Sequence, residues 1–207
     1  MTPTPHANPI PNILTGARLV AGVVMFLMLA GAMGGVPILS AYLSPADQFA
    51  LQKWAFVIFV VAASTDWVDG WLARRWHAES RWGAILDPIA DKILVTGTIV
   101  GVLASGTTAA VVIPFGLILF REFAVSALRE TTAGRVDLPV TLLAKWKTTL
   151  QMVALGAQLL AVMWRGAEDQ WIPAYMTFAD VLVWLAAVVT VWTGWQYFDQ
   201  ARKALRG

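Results

Sequence analysis

Six apolar runs, each about 20 residues long, constrain the fold of this chain more than any other feature. A helical run of that length spans the ~30 Å hydrocarbon core of a bilayer. Hydrophobic residues make up 58% of the 207 residues and charged residues only 14%, whereas soluble domains carry about 25% charged residues. The sequence therefore predicts an all-α integral membrane protein, a bundle of six transmembrane helices at residues 12–34, 50–72, 84–105, 109–129, 145–164 and 173–196.

The chain shows no linker or low-complexity segment, so we predict a single transmembrane domain over residues 1–207. Cysteine is absent, which excludes disulfides and thiolate metal sites. The segment Met1–Pro11 is polar and rich in proline, without a basic region or a small-residue cleavage site. We therefore expect no cleaved signal peptide.

Four aspartates lie where the second predicted span ends and the third begins, in the pattern Asp66-x2-Asp69-Gly70-x2-Ala73-Arg74-x8-Gly83-x3-Asp87-x3-Asp91. The spacing from Asp66 to Ala73 is i, i+3, i+4 and i+7, which is one face of a helix. Gly83, Asp87 and Asp91 share one face of the next helix. Two such helices side by side would direct four carboxylates into one cleft, where they repel one another unless cations bind. Ligand sets made only of oxygen suit hard ions such as Mg²⁺, Mn²⁺ or Ca²⁺.

The basic residues predict which way the helices cross the membrane. Of the 15 Lys and Arg residues, only Lys53 and Arg165 fall on the side opposite the termini in a six-span arrangement. The positive-inside rule then places both termini and the polar cleft on the cytoplasmic side. The net charge of +2 is explained by this topology, so no nucleic-acid partner is expected. Carboxylates and cations at a cytoplasmic membrane face suit a phosphorylated lipid held by bridging metals, since positioning and charge stabilisation supply most of phosphoryl-transfer catalysis.

The pattern from Asp66 to Asp91 resembles the signature of the CDP-alcohol phosphotransferase family at every fixed position. Three further segments resemble one branch of that family, the phosphatidylglycerophosphate synthases. They are Ile10-Pro-Asn-Ile-Leu-Thr-x2-Arg18, Arg121-Glu122-x3-Ser126-Ala-Leu-Arg-Glu130 and Lys145-Trp-Lys-Thr-x2-Gln151-Met. The last predicted span matches only in hydrophobicity.

This resemblance implies a phosphotransferase that moves the phosphatidyl group of CDP-diacylglycerol to sn-glycerol 3-phosphate, with CMP as the leaving group. It also implies two divalent ions, Mg²⁺ or Mn²⁺, and a homodimer surrounded by membrane lipids in a bacterial-type inner or plasma membrane. Asp91 would be the general base for the acceptor hydroxyl. The metal ligands implied are Asp66, Asp69, Asp87 and Asp91.

The resemblance further implies a binding site for CDP-diacylglycerol, in which small residues let cytidine approach the helices. Its residues would be Asn12, Thr15, Asp66, Asp69, Gly70, Ala73, Arg74 and Gly83. Other interpretations stay open for some of them. Asn12 and Thr15 could cap a helix, Gly83 could serve helix packing, and Arg74 could be a topology-setting arginine.

The phosphate of the acceptor requires cations in a fixed geometry, and Arg121 lies in the middle of an otherwise apolar span. The implied acceptor-phosphate ligands, in order of preference, are Arg121, Lys145, Lys147, Arg129 and Arg18. A buried ion pair with Glu122 is the alternative for Arg121. The lysines and Arg129 could instead follow the positive-inside rule or bind anionic lipid.

Several alternatives to the predicted reaction remain open at this point. Other acceptors within the family are inositol phosphate, serine and phosphatidylglycerol. An intramembrane prenyltransferase would also use Asp-rich helices, but with two separated motifs. A divalent-cation transporter would place its carboxylates near the bilayer midplane. Asp180, inside the last span, is expected to make a polar contact with a neighbouring helix or subunit.

Overall fold

The structure, a computed structural model, describes the backbone of residues 10–76, 81–106, 109–132, 142–165 and 168–204. It describes their side chains except at 10–11, 39–40, 66–76, 81–84, 142–145 and 204. Within these ranges the secondary structure is entirely helical. The helices are α1 (Ile10–Ala32), α2 (Pro37–Ser40), α3 (Pro45–Trp76), α4 (Arg81–Ala104), a 3₁₀ turn (Ala109–Val111), α5 (Val112–Thr132), α6 (Leu142–Met163) and α7 (Ile172–Ala204).

Each predicted span overlaps one long helix, but α3 and α7 are longer than predicted, with 32 and 33 residues. The predicted segment 50–72 ends shortly before Arg74, and the segment 173–196 ends shortly before Asp199. Hydropathy marks the part of a helix that lipid can surround, whereas the helix itself continues as long as its backbone hydrogen bonds do. The extra turns therefore carry charged side chains, such as Arg202 and Lys203 at the end of α7.

Four helices of the described part are long and apolar enough to cross a membrane, at Asn12–Ala32, Pro45–Thr65, Ala109–Thr132 and Ile172–Lys203. This identifies an integral membrane protein. The helices α4 and α6 carry polar side chains that the sequence connects with function. In α4 these are Asp87 and Asp91, and in α6 Lys147.

The chain forms two compact units, Met1–Ser105 and Gly106–Gly207. In the first unit α1 packs against both α3 and α4. The core here contains Met25, Leu29, Leu94 and Ile99, all buried. Apolar side chains such as Val20 and Leu27 remain exposed on the outer face of α1, as expected for a helix that lies in lipid.

In the second unit α7 packs against α5 and α6. The helices α5 and α7 are parallel, because a residue later in α5 contacts a residue later in α7. Arg121 contacts Thr190 and Thr193, and Arg129 contacts Tyr197. Contacts between α6 and α7 run the other way, since Ala157 meets Tyr175 and Trp164 meets Trp171. These directions are the ones that consecutive crossings of a membrane require.

Candidate active site

The predicted site residues fall into those whose side chains the structure describes and those outside that set. Outside the described side chains lie Asp66, Asp69, Gly70, Ala73, Arg74, Gly83 and Lys145. The backbone at these positions is helical, in α3, α4 and α6. The prediction that the aspartate pattern occupies two consecutive helices is therefore confirmed, with α3 ending at Trp76 and α4 beginning at Arg81.

Asp87 and Asp91 both contact α1 through polar side chains. The Thr15 hydroxyl donates to Oδ1 of Asp87 at 2.5 Å, and Nη1 of Arg18 lies 3.3 Å from Oδ1 of Asp91. Thr15 is buried, and its hydroxyl bonds across to another helix. Arg18, which was predicted as a ligand of the acceptor phosphate, is placed beside the predicted general base.

Glycines bring α1 and α4 close enough for these contacts. A Cβ at Gly22 would lie 3.2 Å from Cγ2 of Ile93, and one at Gly101 would lie 2.5 Å from Cδ1 of Leu29. Small residues of this kind allow close helix packing inside membranes. The helices α1 and α4 are parallel, because residues later in α1 contact residues later in α4. The contacting pairs are Thr15–Asp87, Arg18–Asp91, Gly22–Ile93 and Leu29–Gly101. Thr15 and Arg18 therefore face successive turns of α4.

The carboxylates described here suit a hard cation by their chemistry. Asp87 and Asp91 lie one turn apart on α4, and 41% of the Asp91 side chain stays exposed although Arg18 is only 1% exposed. Among the described side chains no group of three His, Cys, Asp or Glu residues could hold a metal, since Asp66 and Asp69 lie outside them. The donor set that the sequence predicts consists of oxygen alone, the ligand type that Mg²⁺ and Mn²⁺ prefer.

A second polar cluster, built around Glu122, lies within the second unit. The Glu122 carboxylate accepts a hydrogen bond from Nζ of Lys147, and its Oε1 lies 3.3 Å from Nη1 of Arg121. The side chains are largely buried, with 7% exposed for Lys147, 10% for Arg121 and 20% for Glu122. The ion pair expected as the alternative for Arg121 is thus present, and Lys147 shares the same carboxylate.

Polar groups of α7 complete the contacts of Arg121. Its Nε donates to the Thr190 carbonyl at 3.1 Å, and its Nη2 donates to the Thr193 hydroxyl at 3.2 Å. Together with Glu122 these contacts use three of the five N–H donors that a guanidinium has. In the described part of the chain, one N–H on each terminal nitrogen is left for a ligand.

Tyr197 of α7 joins Arg129 to the same cluster. Nη2 of Arg129 donates to the Tyr197 hydroxyl at 2.9 Å, and the Arg129 guanidinium lies 4.8 Å from the centre of the tyrosine ring. The Arg121 guanidinium lies 5.9 Å from the same ring. Arg121 and Lys147 therefore contact the Glu122 carboxylate, and Arg129 joins them through Tyr197. The four charged side chains carry a formal net charge of +2.

The contribution of α7 was not predicted, because this span was interpreted from its hydrophobicity alone. Thr190, Thr193, Gly194 and Tyr197 are spaced at i, i+3, i+4 and i+7, the same helical periodicity that singled out the aspartates. Applying that test to polar and small residues of the last span would have found this face. The polar contact expected for Asp180 is confirmed, since Nε2 of Gln158 donates to its Oδ1 at 2.7 Å. Asp180 also opposes the lowering of the Arg165 pKa that burial causes.

Comparison with known proteins identifies the family. Residues 8–192 match the model of the CDP-alcohol phosphatidyltransferase family. The chain belongs to this family. The match extends from the residues before α1 into α7, so it includes Thr15, Arg18, Asp87, Asp91, the cluster around Glu122 and Thr190, whereas Thr193, Gly194 and Tyr197 lie beyond it.

Individual relatives in the CDP-alcohol phosphatidyltransferase family carry one name, CDP-diacylglycerol–glycerol-3-phosphate 3-phosphatidyltransferase. The protein of that name from Cereibacter sphaeroides is 38% identical, over 95% of this chain and 97% of the relative. The Rickettsia felis protein is 35% identical over 94% and 96%, respectively. The Escherichia coli K12 protein is 43% identical over 73% of this chain and 80% of its own length. Family membership leaves the prenyltransferase and transporter alternatives without support.

Proposed function

We propose that this protein transfers the phosphatidyl group of CDP-diacylglycerol to sn-glycerol 3-phosphate, giving phosphatidylglycerol phosphate and CMP. The observation that carries this proposal is the similarity to the Cereibacter sphaeroides enzyme, which extends over 95% of this chain and 97% of the relative. The protein is a membrane-embedded phosphotransferase of phospholipid synthesis. In the reaction, the acceptor hydroxyl attacks the phosphorus that carries diacylglycerol, and the bond from that phosphorus to the bridging oxygen of the pyrophosphate breaks.

Asp66, Asp69, Asp87 and Asp91 would hold two divalent ions, Mg²⁺ or Mn²⁺. Metal ions in such a position polarise the phosphoryl group and stabilise the departing oxygen. The fit of these residues rests on their oxygen-only chemistry and on the helical backbone at all four positions. Thr15 supports Asp87 by donating to one of its oxygens, which restrains the rotamer of that side chain.

Asp91 takes the proton of the attacking hydroxyl. Arg18 contacts one Asp91 oxygen and is itself buried, so it limits the directions in which the carboxylate can point. We also propose Arg18 as a ligand of the acceptor phosphate, a contact that would be made next to the base. Asn12, Thr15, Gly70, Ala73, Arg74 and Gly83, with Asp66 and Asp69, would bind the CDP portion of the donor, as the family resemblance implies.

The acceptor phosphate binds Arg121, Lys145, Lys147 and Arg129. This part of the proposal is supported by the net charge of +2 on the cluster formed by Arg121, Lys147, Arg129 and Glu122. A dianionic phosphate would neutralise that charge. Arginine also offers a planar fork that fits phosphate oxygens, and Arg121 retains one N–H on each terminal nitrogen.

The topology proposed for the enzyme has six membrane crossings, with both termini and the polar site on the cytoplasmic side. It is supported by the bias of Lys and Arg toward that side and by the helix directions within each unit. A homodimer in a bacterial-type inner or plasma membrane follows from the family resemblance.

An acceptor panel tests the proposed function. The purified protein is given CDP-diacylglycerol and Mg²⁺ with sn-glycerol 3-phosphate, inositol phosphate, serine or phosphatidylglycerol in separate reactions. We expect equimolar phosphatidylglycerol phosphate and CMP with glycerol 3-phosphate, and no product with the other three. Lipid product from another acceptor, with none from glycerol 3-phosphate, would overturn the assignment.

A further inference from the structure

The face of α7 that carries Thr190, Thr193, Gly194 and Tyr197 is buried although it is polar. Thr190 and Thr193 are fully buried and Tyr197 is 3% exposed. Buried polar groups inside a membrane protein are costly, and they are usually satisfied within the protein. In this helix the Thr193 and Tyr197 hydroxyls accept hydrogen bonds from Arg121 and Arg129, both of which belong to α5. Thr190 contributes its backbone carbonyl to Arg121.

Gly194 lets the Arg121 side chain lie directly across the α7 backbone. A Cβ at position 194 would be 2.8 Å from Cγ of Arg121, 3.3 Å from Nε and 3.6 Å from Cδ. The atom closest to the added carbon is Cγ, near the backbone of Arg121, so a methyl group at position 194 would displace the whole arginine side chain. The contact that depends most directly on this approach is the hydrogen bond from Arg121 Nε to the Thr190 carbonyl.

Tyr197 acts on Arg129 through both its hydroxyl and its ring. The hydroxyl accepts from Nη2 of Arg129, and the guanidinium lies 4.8 Å from the ring centre, within the distance at which cation–π attraction operates. Arg129 is otherwise an exposed residue near the end of α5. Without the tyrosine, its long side chain would sample many rotamers and lose that freedom only when a ligand binds.

We propose that Gly194 and Tyr197 are positioning residues for the acceptor phosphate, which they serve by holding Arg121 and Arg129 in place on α7. The inference rests on the proposed function and extends it to the part of α7 that lies beyond the family match. Fixing the cations before binding reduces the entropy that the ligand must overcome. The α7 face thus gives the enzyme its preference for a phosphorylated acceptor.

The test measures KM for each substrate separately in the full-length enzyme. Tyr197→Phe keeps the ring and removes the hydroxyl, and we expect roughly a 10-fold rise in KM for glycerol 3-phosphate, the scale of one lost hydrogen bond to a charged group. Tyr197→Leu also removes the ring and should raise that KM further. KM for CDP-diacylglycerol should change less than about 2-fold in both variants, because that substrate does not depend on Arg129.

Gly194→Ala tests the same idea through Arg121, and it should also raise KM for glycerol 3-phosphate selectively. Each variant has a matched control on the same unit. Tyr175→Phe removes a hydroxyl that bonds only the Ala157 carbonyl among the described groups. Gly116→Ala adds a methyl that would meet its nearest neighbour at 3.8 Å. Both controls should keep the wild-type KM values.

Two outcomes would overturn the proposal. One is an unchanged KM for glycerol 3-phosphate in Tyr197→Phe and Gly194→Ala. The other is an equal rise in KM for both substrates, which indicates a general packing role. If Gly194→Ala fails to fold, Tyr197→Phe alone decides. If the wild-type enzyme uses another phosphorylated acceptor, the proposed function is refuted, and the positioning role is then tested by the same KM comparison with that acceptor. If the wild-type enzyme uses an unphosphorylated acceptor, both the proposed function and the positioning role are refuted.

Discussion

Replacing Glu122 by Gln removes the negative charge that two buried cations share. Arg121 and Lys147 are 10% and 7% exposed at their side chains, and both contact Oε1 of Glu122. Glutamine has nearly the same shape and can still accept a hydrogen bond, so the substitution isolates the charge. Removing one partner of a buried ion pair typically costs ~3–5 kcal/mol, because the remaining charge stays buried without compensation.

The lower end of that range applies here, since 20% of the Glu122 side chain is exposed. We expect a loss of about 3 kcal/mol in the free energy of unfolding. For a protein of this size this corresponds to a fall in Tm of roughly 6–12 °C. The measurement is thermal unfolding of the purified protein in a mild detergent, with Glu130→Gln, an exposed residue of the same helix, as the control.

A second substitution shows whether the cause is the uncompensated charge. Adding Lys147→Met to Glu122→Gln removes one of the two stranded cations, so the double variant should be more stable than the sum of the single effects predicts, by about 0.5–3 kcal/mol. A Tm for Glu122→Gln within about 2 °C of the wild type would refute the reasoning. Strictly additive effects of the two substitutions would also refute it.

Three further predictions concern turnover. Chelation of divalent metal should abolish activity and Mg²⁺ or Mn²⁺ should restore it, since the proposed carboxylates repel one another without cations; full activity in excess chelator would contradict the two-metal proposal. Asp91→Asn should lower kcat by at least ~10²–10⁴-fold, the usual contribution of a general base, with donor binding retained in part; near-normal kcat would assign the proton to another group. Arg121→Lys keeps the charge but loses the planar fork, so KM for glycerol 3-phosphate should rise while that for CDP-diacylglycerol stays constant; an equal change in both would make Arg121 a structural partner of Glu122.

The sequence was sufficient for the helices and for the placement of Asp87 and Asp91 on one helix face, because both depend on local periodicity. The apolar runs located all six long helices of the described part, and the i, i+4 spacing placed Asp87 and Asp91 on one face of α4. Their partners Thr15 and Arg18 are 72 and 73 residues away in sequence. Periodicity within one helix carries no information about which other helix it faces.

The cluster around Glu122 also depends on contacts between helices that the sequence does not indicate. The pair between Arg121 and Glu122 was the alternative interpretation of Arg121, suggested by their adjacency in sequence. The sharing of Glu122 with Lys147 depends on a residue 25 positions away. The role of α7 depends on Gly194, whose contribution is the absence of a side chain. Periodicity marks the face to which Gly194 belongs, but its role is recognised only when Arg121 is known to occupy the space that a side chain would fill.

The length of α3 bears on how a membrane lipid and a water-soluble metabolite reach the same site. Its 32 residues extend for about 48 Å at 1.5 Å per residue, well beyond the ~30 Å of hydrocarbon that a bilayer offers. The helix must therefore reach into the headgroup layer, and its charged end, from Asp66 to Trp76, is the part suited to water. A lipid diffusing within the bilayer and a small polar metabolite arriving from solution can both reach that depth, so at the proposed site the two would react without either one leaving its own phase.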